Sequence, residues 1–195
     1  MAYLPKLLDA MIGANNRIQS ISNSLRTFSR ADTDYKVTAN LHEGLDSTLL
    51  ILKYRLKAKE HRPAIGNIPP IKCFPGHLNQ VFMNILANAI DMFDEMAQTS
   101  TFAELQAHPQ QITISTEAIA NQVYIKIRDN GKGISTEVQG KIFDNLFTTK
   151  GVGKGTGLGL AIARQIVEER HGGTIEVNSR LEKGTEFVIS IPIKA

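Results

Sequence analysis

From Pro75 to about Met96 the residues Leu78, Val81, Phe82, Ile85, Leu86, Ala89 and Phe93 keep to one side of a helix. From Ile112 onward the hydrophobic period changes to two. Ile112, Ile114 and Thr116 alternate in one run, and Val123, Ile125 and Ile127 in the next, with Ala120-Asn121 as the polar-small turn of an antiparallel hairpin. A helix with one apolar stripe and a hairpin with one apolar face each require cover, and each can cover the other. Leu158–Glu169 reads as a helix that exits through Gly172-Gly173, and Thr174–Ser179 and Glu186–Ile191 as two closing strands. Helices set apart from several antiparallel strands predict an α+β fold, a two-layer α/β sandwich rather than a doubly wound sheet.

The remaining segments fit around that frame. Asn40 with Glu43 three residues on resembles a helix N-cap and its reciprocal carboxylate. Leu41, Leu45, Leu49, Leu52 and Leu56 then mark the buried side of a helix to about Lys57. Residues 58–74, with Pro63, Gly66, Pro69 and Pro70, are expected to hold short strands around Ile65 and Ile71. Gln98–Gln110 reads as a linker, and 130–157 as a glycine-rich irregular region.

Residues 1–31 form a different unit from 32–195. Leu4, Met11, Ile18 and Leu25 repeat every seven residues, as do Leu7, Ala14, Ile21 and Phe28. This makes an a/d seam along a helix over 3–29 whose stripe either packs on its own domain or, the favoured reading, calls for a partner helix in another chain or in a segment outside this sequence; a homodimer is one such arrangement. With 195 residues and 42% hydrophobic content there is ample material for a core. Lys+Arg 22 against Asp+Glu 19 is too mild a surplus to argue for nucleic acid or a membrane surface. No apolar run approaches the ~20 residues of a membrane span, and the single cysteine, Cys73, suits a reducing compartment; both point to a cytoplasmic setting.

The chemistry-bearing residues fall in clusters. Gly151, Gly153, Gly155, Gly157 and Gly159 directly precede a helix, a pattern that turns backbone N–H groups toward one point. Lys154 is followed by Gly155 rather than Ser or Thr, which excludes a P-loop, and no glycine trio has the dinucleotide spacing. By itself the loop is either an anion cradle or a flexible connection. Asp129, at the end of a predicted strand and just ahead of Gly131 and Gly133, is either a ligand-facing carboxylate or a surface residue in a tight turn. Asn84 and Asn88 stand at i and i+4 on a helix otherwise built for burial, so two amides must find polar partners there.

Taken in order, these segments resemble the GHKL ATPase superfamily, which has the Bergerat-type ATP-binding fold. Asn84-Ile-Leu-Ala-Asn88-Ala89 is similar to its N box, and Asp129-x-Gly131-x-Gly133 to its first glycine box. Ile142 to Lys150 resembles the F box, Gly155-Thr156-Gly157-Leu158-Gly159-Leu160 the second glycine box, and Gly184-Thr185-Glu186-Phe187 the closing segment. Within the superfamily the F box and the Gly-Thr-Gly-Leu-Gly-Leu run point to the sensor histidine kinases of two-component signalling, over roughly residues 37–193. The resemblance implies ATP and Mg²⁺ as ligands. Asp129 would accept the adenine amino group, Gly131, Gly133 and Ile134 would lie along the base, and Thr185 would support it through water. Asn88 would ligate Mg²⁺. Gly155, Thr156, Gly157, Leu158, Gly159 and Leu160 would surround the phosphates, with Lys150 or Lys154 neutralising charge and Asp91 near the ribose or metal-bound water.

Asn84 stands where the hydrolysing relatives carry Glu. An amide cannot take a proton from water, so phosphoryl transfer is expected in place of hydrolysis, and Asn84 and Lys150 are the expected catalytic residues. The expected partners are a phosphoacceptor histidine helix, of which residues 3–29 resemble only the companion, and a response-regulator receiver domain. His42-Glu43 superficially copies the acceptor dipeptide but lies on the first turn of a different helix. The alternatives are a GHKL ATPase or anti-sigma-type protein-serine kinase, or a nucleotide-sensing module without transferase activity.

Overall fold

A computed structural model describes residues 35–56, 60–150 and 156–194. The helix expected over 3–29 lies outside them, as do Lys154 and Gly155. In chain order the elements are β1 (Val37–Ala39), α1 (Leu41–Leu56), β2 (Glu60–Ile65), β3 (Ile71–Cys73), α2 (Pro75–Thr99) and α3 (Phe102–Ala107). There follow β4 (Gln111–Ile119), β5 (Gln122–Asp129), α4 (Thr136–Gln139), α5 (Gly159–Gln165) with a π-helical continuation over Ile166–Arg170, β6 (Thr174–Arg180) and β7 (Gly184–Pro192).

Five strands form one sheet in the order β2-β4-β5-β7-β6, and β1 pairs with β3 in a separate two-stranded ladder. The β4–β5 hairpin turns at Ala120, whose φ of 54° is left-handed, and sets Asp129 opposite Ile112. β2 joins β4 in parallel, so the sheet is mixed at that edge. Alternation decides which face is covered. Ile112, Ile114, Val123, Ile125, Ile127, Ile175, Phe187, Ile189 and Ile191 are buried, while their neighbours in sequence, buried Ser190 apart, are exposed or partly so. Helix α2 and the π-helical continuation of α5 pack on that apolar face, which makes the two-layer α+β sandwich expected from the change of period.

Helix α2 is the central element of the helical layer, packing on α1, α5 and β5. Its stripe of Leu78, Val81, Phe82, Ile85, Leu86, Ile90 and Phe93 is at most 1% exposed. Burial of each such side chain contributes roughly 1.5–3 kcal/mol, more than the helix's own propensity supplies. Helix α1 begins where Asn40 Oδ1 accepts the N–H of His42 at 3.0 Å, and its Gly44 lets Asn79 of α2 approach: a Cβ there would lie 2.2 Å from Asn79 Oδ1. The stretch expected to be a linker contains α3. Thr101 and Glu104 close a reciprocal capping box, with Glu104 Oε2 accepting the N–H of Thr101 at 2.8 Å.

His171 follows the π-helical turn at the C-terminal end of the last helix. It is 2% exposed, and its ring joins two elements: Nδ1 meets the carbonyl of Ile166 at 2.8 Å, while Nε2 accepts the N–H of Phe74 at 3.0 Å. A carbonyl can only accept and an amide can only donate, so the ring is neutral with its proton on Nδ1. Burial lowers its pKa, against the opposing bond to Ile166. The unfolded chain, with an ordinary His pKa of about 6.5, therefore binds the proton first. Stability is full above that value and falls as the pH drops through it toward the lower folded value. Denaturant midpoints measured between pH 8 and pH 5 should fall in the wild type, with a shallower slope in His171→Gln.

Candidate functional site

The site is built where the helical layer meets the ends of two strands. Asn84, Asn88 and Asp91 follow one another at i, i+4 and i+7 along α2, beside its buried stripe. Asp129 ends β5 on the inner face, directly opposite Thr185 of β7. All five side chains line one cavity of about 460 Å³, within the range of small-molecule pockets. Gly133, Ile134, Lys150, Thr156, Gly157, Gly159 and Leu160 complete the expected residues that line it.

Two of the expected residues are placed differently. Gly131 packs behind the wall, where a Cβ would lie 1.9 Å from the Met92 methyl. Leu158 is 36% exposed and is not among the lining residues, and its N–H is directed to Thr156 Oγ1 at 3.4 Å. Met92 and Glu95, one turn and two turns past Asn88, also line the cavity, as do Phe147 and Phe187. The helical repeat from Asn84 carried the signal for Met92 and Glu95.

Asp129 is 7% exposed, and one of its oxygens is committed to the backbone. Oδ1 accepts the N–H of Gly131 at 2.9 Å and that of Thr185 at 3.2 Å. Oδ2 has no hydrogen bond among the described residues, and Asp129 lines the cavity. Burial raises the pKa of this carboxyl against the lowering effect of those two amides. A buried carboxylate with one oxygen engaged and one available is a strong acceptor for a ligand N–H.

Asp91 has the opposite environment. Burial alone would raise its pKa, but hydrogen bonds from Lys150 and Arg55 override that and hold it below the usual carboxylate range. Lys150 Nζ lies 2.6 Å from Asp91 Oδ2 and 3.0 Å from Asn88 Oδ1, while Arg55 Nη2 of α1 bridges Asp91 at 2.6 Å and Asp94 at 2.7 Å. The amide oxygen of Asn88 and the carboxylate of Asp91 thus already converge on one cation, the Lys150 ammonium. Hard oxygen donors of this kind suit Mg²⁺. Asn84 is engaged elsewhere: its Nδ2 donates to the carbonyl of Gly159 at 2.8 Å and ties the first turn of α5 to α2. His42, which copies the acceptor dipeptide, has its Nε2 3.0 Å from Thr116 Oγ1 on β4.

Backbone conformation shapes the near wall. Gly133 has φ +64°, and a Cβ there would lie 2.2 Å from the carbonyl of Arg180. Leu146 carries φ 63° although it is not glycine, and its backbone sits against Gly157, where a Cβ would come 2.4 Å from the Leu146 carbonyl carbon. Gly133→Ala therefore combines a left-handed backbone with a clash against main chain. It should lose about 1–3 kcal/mol of stability in urea titration.

A family described as histidine kinase-, DNA gyrase B- and HSP90-like ATPases matches residues 74–195. Among curated proteins, the chain is 35% identical over 182 residues to the sensor kinase CckA of Brucella abortus, covering 91% of this chain and 19% of that protein. It is 37% identical over 130 residues to sporulation kinase E of Bacillus subtilis, covering 67% of this chain and 16% of that one. The chain thus spans about a fifth of the length of these relatives. The catalytic domain of the histidine kinase ThkA superposes with a TM-score of 0.68 at 27% identity, covering 82% of this chain and 99% of that domain. Full-length ShkA, solved with AMPPNP, shares the fold at 22% identity and a TM-score of 0.66, covering 98% of this chain and 39% of that one.

Proposed function

This chain belongs to the histidine kinase-, DNA gyrase B- and HSP90-like ATPase family, and on that footing we propose that it binds ATP with Mg²⁺ as the catalytic part of a sensor histidine kinase. The observation that carries the reading is the convergence of Asp129 from the sheet with Asn88 and Lys150 from the helical side on one cavity. Asp129 Oδ2 accepts the adenine amino group, and a 6-oxo purine would set two acceptors against each other. Gly133 and Ile134 lie along the base. Thr156, Gly157, Gly159 and Leu160 face the phosphates.

Asn88 holds Mg²⁺ through its side-chain oxygen, and Asp91 stands beside it; the ion, when bound, offsets charge on the phosphate oxygens. Lys150, now paired with Asn88 and Asp91, is close enough to exchange that pairing for the phosphates. Asn84 provides no general base, and its bond to Gly159 positions the start of α5 over the site. The γ-phosphorus is then attacked by an imidazole nitrogen of a histidine on a partner helix. As the new N–P bond forms, the bond to the β–γ bridging oxygen breaks and ADP leaves. Positioning and charge compensation supply most of the rate. The phosphoryl group passes on to a response-regulator receiver domain. ThkA has been solved in complex with the response regulator TrrA, a likeness of fold at 23% identity.

Asp129→Asn should weaken ATP binding by about tenfold or more in calorimetry with the circular-dichroism spectrum unchanged, since an amide at that place loses the charge of the acceptor. Unchanged affinity would remove the adenine assignment. Incubated with γ-labelled ATP, the chain alone should remain unlabelled. Addition of an acceptor helical hairpin from a related kinase should give acid-labile, base-stable label on the hairpin. Steady phosphate release in place of transfer would favour an ATPase, and binding with neither outcome a nucleotide-sensing module.

A further inference from the structure

Asp129, Thr185 and Ser179 stand directly opposite one another across β5, β7 and β6, so the sheet carries a polar row that runs from the cavity to its outer strand. Ser179 does not line the cavity, yet three groups meet at its hydroxyl. The N–H of Ile134 donates to Ser179 Oγ at 2.9 Å, the carbonyl of Gly184 lies 2.9 Å away, and so does Thr185 Oγ1. Gln139 Nε2 fixes the same corner through the carbonyls of Ile134 at 2.9 Å and Ser179 at 3.0 Å.

A serine hydroxyl has one hydrogen to give. The Gly184 carbonyl can only accept, and two oxygens 2.9 Å apart with no proton between them repel. The Ser179 hydrogen therefore points at Gly184. With its proton committed there and one lone pair taken by Ile134, Ser179 can meet Thr185 only as an acceptor. Thr185 must then donate its own hydroxyl hydrogen to Ser179. Its remaining lone pairs and Asp129 Oδ2 are acceptors, and the adjacent Thr185 and Gly131 N–H groups are already given to Asp129 Oδ1.

We propose that Ser179 is a positioning residue that fixes the hydrogen-bond polarity of the cavity floor, and so sets the site's preference for a 6-amino over a 6-oxo purine. The proposal rests on the nucleotide reading above and adds a specificity determinant outside the binding surface. A serine at this place orients a threonine, and the threonine reinforces what the carboxylate selects. If Ser179 loses its acceptor, the Thr185 hydroxyl is free to turn and donate to a ligand carbonyl.

The test compares calorimetric affinities for Mg·ATP and Mg·ITP, which differ at the 6-position of the purine. Ser179→Ala should lower the ATP-to-ITP affinity ratio by about tenfold, roughly one net hydrogen bond, and Ser179→Thr, which keeps the hydroxyl, should restore it. Ser179→Cys, close in size but a poor acceptor, should lower the ratio in the same direction, and it carries the test if the alanine variant fails to fold. A parallel loss of both affinities with the ratio unchanged would overturn the proposal and reduce Ser179 to a structural hinge of the 130–135 loop. Asp129→Asn run alongside separates the two ideas. If it abolishes ATP binding while the Ser179 variants keep the wild-type ratio, only the present inference fails. If wild type and Asp129→Asn bind ATP equally, the nucleotide reading falls and takes this inference with it.

Discussion

Burial of one side of α2 against the inner face of the sheet constrains everything else in the site. The stripe from Leu78 to Phe93 fixes the helix's rotation about its axis, because any turn of the rod would expose several fully buried side chains. With rotation fixed, Asn84, Asn88 and Asp91 emerge together at the margin of the core, facing the end of β5. The strands in turn fix Asp129: its register against Ile112 and Thr185 sets the carboxylate at the last inward position before the chain leaves the sheet. The cavity is the gap between two packed layers at the place where each layer presents polar groups.

Two carboxylates in that gap are tuned in opposite directions. Asp129 is surrounded by backbone amides and apolar side chains, so desolvation dominates and raises its pKa. Asp91 lies between an ammonium and a guanidinium, so charge pairing dominates and lowers its pKa. The first is suited to a neutral, hydrogen-bonding ligand edge, and the second to exchangeable cations. The cavity thus has a desolvated carboxylate on its strand side and a charge-paired one on its helix side.

Much of this was legible in the residues. The period-3.6 stripe of α2 and the period-two hairpin are local patterns, and Asn84, Asn88, Asp129, Gly133, Ile134, Lys150 and Thr185 do line one cavity. What escaped was non-local or too short for periodicity. Lys150 meets Asp91 across 59 positions, and Arg55 reaches Asp91 and Asp94 from another helix. The parallel seat of β2 beside β4 is set by tertiary pairing. The imidazole of His171, after the π-helical turn, is caught between Ile166 and Phe74, a contact across 97 positions that no window of sequence displays. Helix α3 carries a local signal in Thr101 with Glu104, but it buries no residue and so has no apolar stripe for periodicity to show.

The sheet also ends in a strand with no further strand beyond it: among the described residues, β6 pairs only with β7. Such a margin offers unpaired main-chain groups to any extended peptide. On its solvent side β6 carries Thr174, Glu176, Asn178 and Arg180, all exposed, so a newcomer strand would have to bring its own side chains against alternating opposite charges and a polar amide. Charged and polar residues along a bare rim discourage stacking of one molecule's sheet onto another's. The composition of this border thus works against main-chain pairing between two copies of the sheet.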